Sequence, residues 1–253
     1  MANIIAVLNQ KGGVGKTTTA INVAAYLAKA GRSVLVVDSD PQGNTTSGLG
    51  VDKQNLSPTL YDVLFSKVEA SSAVKKLDRE NIYLLGSNAQ LAGAEIELVQ
   101  LPGREYYLKH LLEGLEYDYI IIDCPPSLGL ITINALSASN FVLIPVQAEY
   151  YALEGLSQLL SVIQHVQQGL NPNLSILGVL LTLYDPRNSL SGQVKAEIEK
   201  HFGAKLFDTI IPRNVRLAEA PSFGKTITEY DKWSKGARAY KALAKELEKR
   251  VYG

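Results

Sequence analysis

Asn9-Gln10-Lys11-Gly12-Gly13-Val14-Gly15-Lys16-Thr17-Thr18 is the stretch from which the rest of the chain is read. An apolar run, Ile4 to Leu8, precedes it and has the character of a buried strand. Beyond it Ala20, Ile21, Ala24, Leu27 and Ala28 recur at helical spacing up to Gly31. Strand, glycine-rich turn and helix are the setting of a phosphate-binding loop. Glycines let successive N–H groups converge on one point, and the helix adds its positive end. Lys16 brings a full charge, and Thr17 brings a hydroxyl able to hold Mg2+.

Working outward, apolar runs alternate with helical patterns. Ser33 to Val37 predicts a second strand, ending in Asp38-Ser39-Asp40-Pro41-Gln42, with a polar loop to Gly50. Ser57-Pro58 reads as a cap opening a short helix through Phe65. Further strands are expected at Ile82 to Leu85, Tyr119 to Ile122, Phe141 to Val146, Ile176 to Leu183 and Leu206 to Ile211. Between and beyond them helices are expected at Leu91 to Val99, Glu105 to Leu115, Leu130 to Ser139, Leu153 to Gln168, Gln193 to Phe202 and Lys235 to Val251. Loops are expected from Tyr184 to Ser191 and from Pro212 to Gly224, the second with room for one helical turn. The pattern predicts an α/β fold, a mostly parallel twisted sheet with helices on both faces. Ligands in such sheets bind at the carboxyl ends of the strands. All the polar motifs are expected there: 10–18, 38–42, 123–126 and 212–214.

The chain has 253 residues, 46% of them apolar, which suits one large domain. Net charge is zero, but residues 201–253 hold 11 Lys and Arg against 6 Asp and Glu, a hint of an anionic partner. One cysteine, Cys124, excludes a disulfide framework and a cysteine-based metal site. No apolar run reaches membrane-spanning length, and no signal peptide is apparent, so a cytoplasmic protein is expected. The histidines, 110, 165 and 201, lack ligand spacing.

Asp123 ends an apolar strand and is suited to the Mg2+ hydration shell beside Thr17. Asp38 and Asp40, two apart on an extended chain, put both carboxylates on one side. The competing reading of Asp40 is an Asx turn before Pro41.

Gln10 replaces the usual first glycine, and Lys11 adds a second lysine. This Lys-Gly-Gly-x-Gly-Lys-Thr variant resembles the deviant Walker A loop of the ParA, Soj and MinD ATPases. The likeness covers nearly the whole chain and is closest to the chromosomal ParA branch, Soj. It extends through 43–50, 90–95, 147–155 and 212–224. It implies a phosphate-loop NTPase, a single ParA-like ATPase domain over 1–253, using ATP and Mg2+ and slow without a partner.

By resemblance, Lys11, Gly12, Gly13, Val14, Gly15, Lys16, Thr17 and Thr18 hold the phosphates, and Lys11 reaches a partner subunit's nucleotide. Thr17 binds Mg2+ directly, and Asp38 and Asp123 bind it through water. Asp40 orients the attacking water, a positioning role and not that of a strong base. Lys11, Lys16 and Asp40 form the catalytic set. Pro212 and Asn214 contact the adenine, with Thr182 a weaker candidate. Arg187 and Arg216 contact DNA. The implied partners are a second copy in an ATP-dependent homodimer, nonspecific duplex DNA and a ParB/Spo0J-like centromere-binding protein, with the chain nucleoid-associated. The alternative is a MinD-like membrane-positioning ATPase. Against it, the tail from Ala242 to Val251 lacks Phe and Trp and carries two glutamates, so Leu243, Leu247 and Val251 are expected in the core. A nitrogenase-type iron protein would need paired cysteines. A dinucleotide fingerprint would need glycine where Thr18 stands.

Overall fold

The computed structural model describes residues 2–79, 81–149 and 152–253, without the side chains of 152–154, 189 and 190. Tyr150 and Tyr151, within the 147–155 stretch, therefore lie outside the described residues. Strand β1 (Asn3–Val7) leads through the glycine loop into α1 (Lys16–Lys29), and β2 (Val34–Asp38) into α2 (Asn44–Gly48) and α3 (Leu60–Leu64). Helix α4 (Ala70–Ala73) and strand β3 (Lys75–Lys76) precede β4 (Ile82–Leu85). Helices α5 (Ala94–Val99) and α6 (Tyr107–Leu112) precede β5 (Tyr119–Asp123). Then come α7 (Leu130–Ala138), β6 (Phe141–Gln147), α8 (Ala152–Gly169), β7 (Ser175–Thr182) and α9 (Ser189–Phe202). Helices α10 (Val215–Glu219), α11 (Ile227–Tyr230) and α12 (Lys235–Tyr252) close the chain.

The sheet runs β3-β4-β2-β5-β1-β6-β7 and is parallel except where β3 meets β4. Strand β1 lies between β5 and β6, so the polypeptide leaves β1 in one direction and returns on the other side. A crevice opens at such a switch point, and the glycine loop follows β1 directly. In register, Val7 pairs with Asp123 and Asp38 pairs with Asp123, which brings three motif-bearing strand ends side by side.

Strand residues feed two cores alternately, as the two-residue period requires. Ala6, Leu35, Val37, Ile120 and Ile122 face the helices α3 and α5 to α8. Ile5, Val7, Val34, Val36 and Ile121 face α1 and α12. Leu243 and Leu247 of α12 are fully buried in that second core, and Val251 packs against it. The expected mostly parallel α/β sheet is thus observed.

Three local expectations need correction. Residues 206–211 are not a strand: single bridges, Val179 with Leu206 and Tyr184 with Pro212, and the Phe207 and Ile211 amides on the Val179 and Leu181 carbonyls join this stretch to β7 without a continuous ladder. Glu246 of α12 accepts the amides of Asp208 and Thr209 at 2.8 and 2.9 Å, and Arg250 donates to the Leu206 carbonyl. Side chains of α12 occupy groups that a strand ladder would use. Ser57-Pro58 does not open α3; Thr59 does, in a capping box with Asp62. Residues 44–48, expected as loop, form α2, for reasons that belong to the site.

Candidate functional site

The loop between β1 and α1 is held open from outside. Asn9 donates to the Pro145 carbonyl at 2.7 Å and accepts the Lys11 amide at 2.9 Å, fixing the loop to β6. Gly13 and Gly15 have φ of 77° and 88°, values that favour glycine. A side chain added to Gly12 or Gly13 would meet nothing within 4 Å, so the cradle is open above them. Gly15 starts α1 with no side-chain cap, which leaves the first-turn N–H groups available to an anion. Thr182 donates to the Val14 carbonyl at 2.7 Å. It buttresses the loop, and with its proton committed there its oxygen is left only to accept.

The two lysines differ sharply. Lys16 is 7% exposed and its Nζ lies 3.2 Å from the Lys11 carbonyl, across the loop. Burial lowers its pKa, opposed by Asp123, Cys124 and Asp40. The Lys11 side chain is turned outward, where its Nζ pairs with Glu149 at 2.6 Å. Both partners are over 40% exposed, and such surface pairs contribute about 0–1 kcal/mol. A stronger anion can therefore take Lys11 at little cost.

The carboxylates are equally specific. Asp123 is 1% exposed, and its Oδ2 accepts the hydroxyls of Thr17 and Thr45, each at 2.7 Å. Its Oδ1 is buried with no hydrogen-bond partner. Burial pushes Asp123 up to about 6. Asp38 is fully buried. Its Oδ2 accepts the amide and hydroxyl of Thr46 at 2.8 and 2.7 Å, and its Oδ1 accepts the Asp40 amide at 3.2 Å. Burial, with Asp123 beside it, pushes Asp38 up to about 7. Thr45 and Thr46 thus tie α2 to the two strand ends. Asn-Thr-Thr-Ser-Gly has poor intrinsic helix propensity, so these long-range bonds explain why α2 exists. Sequence reasoning passed over both threonines, which carry no local motif.

Asp40 is 8% exposed. Its Oδ1 accepts the Gln42 amide at 2.9 Å, the Asx turn anticipated as the competing reading. Its carbonyl accepts the Ser87 hydroxyl at 2.9 Å. The turn holds the carboxylate at the sheet end, and among the described residues no donor reaches Oδ2. Asx turn and water positioning are compatible.

Asn214 stands at the start of α10 without a side-chain capping bond, and its Oδ1 is also buried without a partner among the described residues. Pro212 bridges Tyr184, just past the carboxyl end of β7. Asn214 Oδ1 can accept an exocyclic amine. The orphaned acceptors Asp123 Oδ1 and Asn214 Oδ1, with the uncapped α1 start, fit an adenine nucleotide and a hydrated divalent cation. The two arginines stand elsewhere. Arg187, 87% exposed, makes a fork to Asp185 at 2.8 and 3.0 Å, and Asp185 is drawn down to about 2. Arg216 pairs with Glu219 at 2.9 Å and with Asp231 at 3.6 Å. Neither touches the nucleotide region's carboxylates. Among the described residues no His, Cys, Asp and Glu cluster could hold a metal by itself, and no helix is long and apolar enough to cross a membrane.

A family profile described as an AAA domain matches residues 2–176. The chain is 56% identical over 249 residues to the sporulation initiation inhibitor protein Soj of Bacillus subtilis, covering 98% of each chain. It is 52% identical over 252 residues to the chromosome partitioning protein ParA of Myxococcus xanthus, covering 99% of this chain and 89% of that one. It is also similar to a solved structure, cobyrinic acid a,c-diamide synthase from Mycobacterium smegmatis with bound ATP analog and magnesium. That match has a TM-score of 0.89 and 41% identity over 99% of this chain and 96% of the other.

Proposed function

The chain belongs to the Soj/ParA family of chromosome-partitioning ATPases, and on that premise we propose that it is a Mg-ATP-driven DNA-partitioning switch. In this reading it hydrolyses ATP slowly, pairs with a second copy across the triphosphate, and holds duplex DNA without sequence preference while paired. A ParB-like centromere-binding protein stimulates hydrolysis and so releases it. The partition-named relatives are closer in sequence than the synthase-named structure, 56% against 41%, which favours the partition role.

The observation that carries the reading is the outward Lys11 beside a complete, inward-facing site. Lys16 and the first-turn amides of α1 would receive the phosphates, and Asn214 and Pro212 the base. Thr17 would hold Mg2+ directly, and Asp123 and Asp38 through water, with Asp38 also bracing the neighbouring loop through Thr46. The bound metal supplies charge neutralisation on the transferring phosphate. Asp40 would orient water through its free oxygen. Lys11 is left over, and its weak tie to Glu149 leaves it free for a partner's nucleotide.

The membrane-positioning alternative is disfavoured by α12. Extracting Leu243 and Leu247 to enter lipid would empty two core positions, at about 2–5 kcal/mol for each leucine. The test is retention of plasmid DNA by the purified protein with a nonhydrolysable ATP analogue, alongside its mass in solution. A dimer that retains DNA only with the triphosphate is expected. A monomer that retains DNA equally without nucleotide would contradict the proposal.

A further inference from the structure

A second cationic surface, built from other side chains, adjoins Arg216: Asp231, which pairs with Arg216 at 3.6 Å, accepts the Trp233 amide. Between the end of α1 and the outward face of α12 is a cavity of about 480 Å3. Lys29, Lys232, Lys241 and Lys245 line it, with the rings of Tyr26 and Trp233. Glu248 is its one carboxylate, and Arg32 holds that group at 2.9 Å. Among the described residues none of the four ammonium groups forms an ion pair. Trp233 is 77% exposed, with the Lys232 ammonium 5.3 Å from its ring centre.

The charge continues beyond the cavity. Arg238, Lys241, Lys245 and Lys249 are exposed and spaced three, four and four apart, along one stripe of α12. At 1.5 Å per residue the stripe runs about 16 Å. An isolated acidic group would engage one or two of these amines. A linear polyanion carrying a charge every ~1.7 Å of its axis engages them all. Free amines also gain a partner on binding phosphate without losing one, whereas Arg187 and Arg216 must first leave Asp185 and Glu219.

We propose that the α1–α12 groove and the α12 stripe form a contact surface for the phosphate backbone of duplex DNA, with the Trp233 ring against the sugar edge at its rim. This rests on the DNA-binding reading and adds a surface to it. Trp233 is the only tryptophan of the chain, so its fluorescence reports this groove alone. With a nonhydrolysable ATP analogue, added duplex DNA should quench Trp233 saturably. Lys241→Gln with Lys245→Gln should lower the slope of log affinity against log salt by about 1.8 per protomer, at ~0.9 for each phosphate contact. DNA-free ATP turnover should be unchanged. An unaltered slope with unquenched Trp233, while the parent protein still retains DNA, overturns this surface and leaves the DNA-binding reading standing. Parent protein that retains no DNA overturns both. Quenching by anionic phospholipid vesicles and not by DNA also overturns the assignment.

Discussion

At the carboxyl end of the sheet Lys16, Asp38, Asp40 and Asp123 are each at most 8% exposed and engaged by identified neighbours. On the surface from β7 to α12, Arg187 and Arg216 are exposed, Arg187 held by Asp185 and Arg216 by Glu219, Asp231 and Tyr230, and among the described residues the α12 lysines form no ion pair. The first region is preorganised: few groups, fixed geometry, low local dielectric, so one deletion has a large effect. The second works by accumulation, since each exposed charge adds a modest, salt-sensitive increment. Lys11 lies between these regimes, rooted in the rigid loop but ending in a surface pair.

The largest expected break in that contrast is Asp40→Ala. Misplacing the attacking water should lower turnover by about 100-fold while ATP still binds, so the triphosphate-bound dimer accumulates. Steady-state hydrolysis and sizing with ATP check this, and normal turnover would remove Asp40 from the reaction.

How much of this contrast was legible beforehand follows the range of the interactions involved. The phosphate loop is written in ten consecutive residues, and β5 with Asp123 in five, so local pattern sufficed. Helix α2 depends on Thr45 and Thr46 reaching Asp123 and Asp38, partners 78 and 8 residues away, and no local period signals it. Residues 206–211 have strand-like composition, but Glu246 and Arg250, some 40 residues on, take their backbone groups. The orphaned oxygens of Asp123 and Asn214 are properties of packing and have no sequence counterpart.

A smaller effect should sharpen the electrostatic side of the rigid region. Asp38 and Asp123, pushed up to about 7 and about 6, hold protons in the folded state that the unfolded chain releases near pH ~4. Their contribution to stability is therefore fullest below about pH 4 and is lost as pH rises through 6 and 7. Unfolding of the nucleotide-free protein should show Tm falling from pH 5 to 8, with a shallower fall in Asp38→Asn. A fall of equal steepness in that variant would place the effect on other groups.

Smallest is the loss of one surface arginine. Arg216→Ala or Arg187→Ala should each reduce the salt slope of DNA binding by about 0.9, leaving ATP affinity unchanged. Unaltered retention and slope in both variants would remove these arginines from the DNA surface.

The most direct test is Lys11→Ala, with nucleotide affinity and the ATP-driven change in mass measured on the same sample. Nucleotide bound by Lys16 and the α1 amides should remain bound, while the mass stays that of a single 27.5 kDa chain at concentrations where the parent protein doubles. A variant that still doubles with ATP would mean that Lys11 does not join the two copies, and the triphosphate-bridged dimer would have to be abandoned.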